Sequence, residues 1–74
     1  MTRRLRAVSG ARLVRALERV GWRVDRTRGS HALLEHPEHD RPLIIPLHRE
    51  LKRGTLGGIL RDAKLSPDEL RKLL

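Results

Sequence analysis

"GWRVDRTRGSHALLEH" occupies residues 21–36, and the change of rhythm inside it decides the fold. Trp22 and Val24 alternate with Arg23 and Asp25, a period of two that belongs to a half-buried strand. Gly29-Ser30 is a turn signal, and HALLEH after it starts a second strand. Two strands joined by two such residues predict a β-hairpin.

Upstream of this stretch the period is helical. Leu13, Ala16, Leu17 and Val20 make one apolar stripe, Ser9 is the expected N-cap, and Gly21 the expected left-handed stop. Arg12, Arg15 and Arg19 share another face, either solvated or turned to phosphate or a partner. Downstream, PEHDRP reads as a loop and LIIP as a third short strand closed by Pro46. Helical spacing then returns in GTLGGILRDAKL, where Leu56, Ile59, Leu60 and Ala63 form the apolar face and Thr55 is the expected N-cap. Gly57 and Gly58 inside that helix each cost about 1 kcal/mol against alanine, which hints at close approach by another backbone or a ligand. Ser66, Pro67 and Glu69 predict a capped final helix, with Leu65 and Leu70 as its hydrophobic staple. The expected fold is α+β. It has two layers, a three-stranded antiparallel sheet with helices on one face, in the order α-β-β-β-α plus a short C-terminal helix.

Composition narrows the function. A chain of 74 residues is read as a single domain over 1–74, with residues 1–8 as a flexible basic arm. At this size folding buries only about 60% of the unfolded surface, too little for a deep enclosed pocket. Cysteine is absent, which removes disulfides and thiolate metal sites. No apolar run approaches the roughly 20 residues that span a membrane. The start MTRRLRAVSG lacks the apolar stretch of a secretory signal, so a cytoplasmic protein is expected. Lys and Arg total 17 against 9 Asp and Glu, a formal net charge of +8. All but Lys52, Lys64 and Lys72 are arginine, whose planar fork suits phosphate. With Trp22 as the one aromatic residue, and assigned to the core, base stacking is disfavoured. Recognition through phosphates, sugars and shape fits instead.

Four histidines could carry chemistry: His31, His36, His39 and His48. His36 and His39 flank a proline in a loop without cysteine support, so surface residues are expected there rather than a metal site. Ser30 and His31 are neighbours whose side chains leave an extended strand on opposite faces, which disfavours a nucleophilic dyad. Glu35 lies about 13 Å further along the strand, too far to orient the ring. RNA cleavage asks for less, because the nucleophile is the substrate's own 2′-hydroxyl. The protein supplies a general base, positive charge for the phosphorane and a hold on the backbone. Histidine is the usual base, and neighbouring guanidinium groups favour its neutral, accepting form. Arg26, Arg28 and Lys52 are the candidates for charge stabilisation. Taken alone, a strand histidine is more often an ordinary surface residue.

The motifs Gly21-Trp22, Gly29-Ser30-His31, Pro46-x-His48, Gly54-Thr55-Leu56, Ile59-Leu60 and Leu65-Ser66, in that order, resemble the HicA family over about Ser9 to Leu70. Lys64 departs from the pattern, standing where a glycine commonly precedes Leu-Ser; the helix end would then lack its easy left-handed cap. The resemblance implies a double-stranded-RNA-binding-like fold and the toxin half of a type II toxin–antitoxin pair. It implies an endoribonuclease that cuts mRNA without the ribosome and without a metal or other cofactor. The resemblance puts His31 in the catalytic position; read from the residues themselves, Arg26, Arg28, Ser30, His48 and Lys52 are the expected RNA-binding ones. The implied partners are mRNA and a HicB antitoxin that covers the active site, with no membrane and no direct DNA binding by this chain alone. Three roles stay open to His48: general acid, phosphate ligand, or a residue that only holds the loop before the second long helix. The competing reading is a non-catalytic module that binds double-stranded RNA.

Overall fold

A computed structural model describes residues 7–74. Of the basic arm expected over 1–8, residues 1–6 lie outside the described residues, whereas Val8 is buried in the core. The elements run α1 (Gly10–Glu18), β1 (Arg23–Arg28), β2 (His31–Glu35), β3 (Leu43–Pro46), α2 (Arg53–Ala63) and α3 (Pro67–Leu73). The strands form one antiparallel sheet in the order β1-β2-β3, a meander, as expected. Fold class and element order agree with the expectation, the short last helix included.

The helices cover one face of the sheet. Ala32, Leu34, Leu43 and Ile45 turn inward and are buried with Leu13, Ala16 and Leu17 of α1 and Leu56, Ile59, Leu60 and Ala63 of α2. Val8, Trp22, Leu51 and Leu70 complete this single cluster. Strand alternation sends Leu33 and Ile44 to the other face, which no helix among the described residues covers; Ile44 is 59% exposed.

Local signals explain most boundaries. The Ser9 hydroxyl accepts from the Arg12 N–H at the start of α1. At its end the Trp22 N–H reaches the Leu17 carbonyl and the Gly21 N–H the Glu18 carbonyl, a Schellman pair that Gly21 permits with φ +102°. Ser66 and Glu69 form the capping box of α3, and Leu70 is buried beneath it.

Four expectations are corrected. Val20 falls past the end of α1 and is 37% exposed, so it does not extend the apolar stripe. β1 is exposed along its whole length, Val24 included, because it lies at the sheet edge away from α2, which packs on β3. α2 begins before Thr55: Lys52 holds the N-cap position without a side-chain cap bond, and Thr55 sits in the first turn. Gly57 and Gly58 meet no close backbone; a side chain at Gly57 would have open space, and at Gly58 only the Arg61 guanidinium at 3.9 Å. Lys64, by contrast, does supply the left-handed end of α2, at φ 59°, in spite of its side chain.

A candidate nucleic-acid site on the open sheet face

The register of the hairpin assembles the site. Arg28 pairs with His31 around the Gly29-Ser30 turn, where Gly29 has φ +55°. Residues directly opposite in an antiparallel pair share a face. His31 and Leu33 face outward, so Arg28 and Arg26, their partners, face outward too.

That outcome depends on an irregularity. Trp22, Val24, Arg26 and Arg28 all occupy even positions, and an unbroken strand would put them on one side. The register instead shifts between Val24 and Arg26, leaving Asp25 as the extra residue of a β-bulge. Before the bulge, Val24 pairs with the inward Leu34; after it, Arg26 pairs with the outward Leu33. The bulge thus keeps Trp22 in the core and carries two guanidinium groups to the face of His31.

Arg26, Arg28, His31, Ala32, Leu33 and Ile44 line a shallow depression of about 250 Å³. Arg26 donates to the Asp25 carboxylate at 3.0 Å, an exposed pair that competing charge readily opens. Arg28 makes no ion pair among the described residues, so its fork is available to an anion. A larger depression of about 460 Å³ lies beside α1 and α3, lined in part by Arg12, Arg15, Arg19 and Leu73, but it holds no histidine.

His48 joins the site from the segment after β3. Its ring centre lies 6.3 Å from that of His31, at an interplanar angle of 68°. Three backbone bonds fix this segment: Leu47 N–H to Ser30 carbonyl at 2.6 Å, Gly10 N–H to His48 carbonyl at 2.9 Å, and Leu51 N–H to Val8 carbonyl at 2.8 Å. Ser30 therefore contributes through its carbonyl. The start of α1 presses so close that a Cβ at Gly10 would lie 1.9 Å from the Pro46 oxygen. Lys52 is exposed at the head of α2 and does not line the depression.

The other two histidines do structural work. His36 accepts from the Glu38 N–H through Nδ1, so its Nε2 carries the proton donated to the Val20 carbonyl at 3.0 Å. Its ring centre lies 5.2 Å from that of Trp22, and His39 lies 4.6 Å from the same indole. Both lie in the loop between β2 and β3 and are half-buried there. Among the described residues no group of three His, Cys, Asp or Glu side chains gathers in a way that could hold a metal ion.

The molecule is thus a small basic α+β protein with a histidine pair and two arginines on the bare face of its sheet. Residues 10–65 match the family described as the HicA toxin of bacterial toxin–antitoxin systems, and the chain belongs to that family. It is a toxin-family protein, and the family implies a cognate antitoxin. No curated protein matches it. Among the described residues, no helix is long and apolar enough to cross a membrane.

Proposed function

We propose that this protein is an endoribonuclease that cleaves mRNA independently of the ribosome and is restrained by a HicB-type antitoxin. The observation that carries the reading is the placement of His31: exposed, on the open sheet face, paired with Arg28 in a depression that Arg26 also lines. His31 takes the proton of the substrate's 2′-hydroxyl as general base. Arg28 and Arg26 neutralise the phosphate as charge builds in the transition state. Lys52 and the segment through His48 hold the RNA backbone on either side, and Ser30 shapes the turn that presents His31. No cofactor enters this chemistry, since the nucleophile belongs to the substrate. The family supports a toxin working beside its antitoxin in the cytoplasm.

The test is incubation of the purified protein with a defined single-stranded mRNA in EDTA, beside His31→Ala. A positioned base contributes about 10²–10⁴-fold, so the variant should cut at least 100-fold more slowly and still bind. Equal cutting by both proteins would remove His31 from the mechanism. Binding by both with cutting by neither would leave a non-catalytic RNA-binding module.

A further inference from the structure

We propose that His48 is the second proton-transfer group of the site, the general acid that protonates the leaving 5′-oxygen while His31 takes the proton from the 2′-oxygen. The inference deepens the ribonuclease reading and rests on it.

Two histidine pairs exist in this chain, and the contrast between them is the argument. In the first, His36 and His39 lie 4.8 Å apart against Trp22, and both nitrogens of His36 are committed to backbone groups. That pair is mortar for the loop. In the second, His31 and His48 are both exposed and no hydrogen bond engages either ring among the described residues. Their centres are 6.3 Å apart. A proton donor and acceptor each need to come within roughly 3 Å of the oxygen they serve. Two rings at this separation can reach opposite sides of one phosphodiester.

The pair is also held as a pair. His31 is register-paired with Pro46, two residues before His48, and the Leu47–Ser30 bond ties the His48 segment to the turn that begins β2. The bond from Gly10 to the His48 carbonyl fixes the backbone and leaves the ring turned to solvent. A histidine needed only to hold this loop would not need its side chain, because the carbonyl makes the bond.

The reaction balances without a co-reactant. The 2′-oxygen loses its proton to neutral His31 and forms a bond to phosphorus. The bond from phosphorus to the 5′-oxygen breaks, and that oxygen receives the proton of His48 imidazolium. The products are a 2′,3′-cyclic phosphate and a free 5′-hydroxyl. Proton exchange with water resets the two rings.

The experiment first maps one cleavage site in an mRNA. A short RNA spanning that site is then made twice, with the normal linkage and with sulfur replacing the bridging 5′-oxygen. Thiolate leaves without a proton, so the sulfur substrate has no use for a general acid. His48→Ala and His48→Gln should cut the normal RNA about 100-fold or more slowly and cut the sulfur RNA at close to the wild-type rate. His31→Ala should be slow on both. The wild-type pH profile should be bell-shaped, with its alkaline limb missing in the His48 variants. Circular dichroism and thermal unfolding confirm that the variants keep the fold. Wild-type rates for the His48 variants on normal RNA would overturn the proposal, as would equal losses on both substrates or rescue of His31→Ala instead. If the wild type cuts neither RNA, the ribonuclease reading itself fails, and the proposal falls with it.

Discussion

Gly10 does more for the site than its place in the sequence suggests. It opens α1 and donates to the His48 carbonyl, and it is pressed against the Pro46 carbonyl so closely that no other residue fits. Gly10→Ala forces the end of β3 and the His48 segment away from α1. Overpacking of this kind costs about 1–3 kcal/mol, and here the obstacle is backbone, which cannot rotate aside. Chemical denaturation should show a loss at or above the upper end, and RNA cleavage should fall further than stability does, because His48 moves relative to His31. A variant with wild-type stability would show that the helix start can slide. Nothing in the sequence marks Gly10 for this role. His31 could be singled out from its neighbours, while Gly10 needs the tertiary approach of two distant segments to be seen.

At the scale of elements, the bulge in β1 decides which side the arginines take. Deleting Asp25 should leave Val24 inward and Arg26 and Arg28 outward, since the shortened strand alternates regularly between the same partners. RNA binding, read by fluorescence anisotropy, should persist. Inserting one residue between Arg26 and Thr27 should turn Arg26 toward the helices and weaken binding; the reverse order of effects would refute this account of the register. α3 offers a pH test. The Ser66 backbone N–H, and then its side chain, hold the Glu69 carboxyl below its ordinary value; desolvation opposes them and the nearby Lys72 charge adds a lesser pull in the same direction as Ser66. A lowered folded-state value contributes stability that is present at neutral pH and lost as pH falls below about 4.5. Glu69→Gln should flatten the wild-type stability curve in that acid window, measured by denaturant melts at several pH values; parallel curves would show that the box is not linked to the proton. Elements were the most legible level of this sequence. Ser9, Gly21, Ser66 and Glu69 act through contacts a few residues away, so their signals are local. The bulge was not legible, because it is set by what lies across the sheet. Nor was the exposure of β1, which follows from where the helices sit on the sheet, α2 packing on β3.

For the whole molecule, a net charge of +8 and a bare, arginine-bearing sheet face make the proposed RNA binding an electrostatic event. For single strands the salt dependence has a slope of about −0.7 per phosphate neutralised. Arg28→Ala should weaken binding across all sequences and reduce that slope by roughly one phosphate's share, read from affinities at several salt concentrations. An unchanged slope would place Arg28 outside the phosphate contacts. The charge was plain in the sequence, but its division was not. Arg26 and Arg28 stand beside His31, while Arg12, Arg15 and Arg19 line a separate depression by α3. The same sheet has a further property. Among the described residues β1 ends it on one side with no strand beyond, an invitation for a second copy to add its own. Arg23, Arg26 and Arg28 would meet their own images there, and the bulge twists the strand away from straight pairing. Separated from any partner, the protein carries its own guard against polymerising, made in part from the arginines proposed to hold RNA.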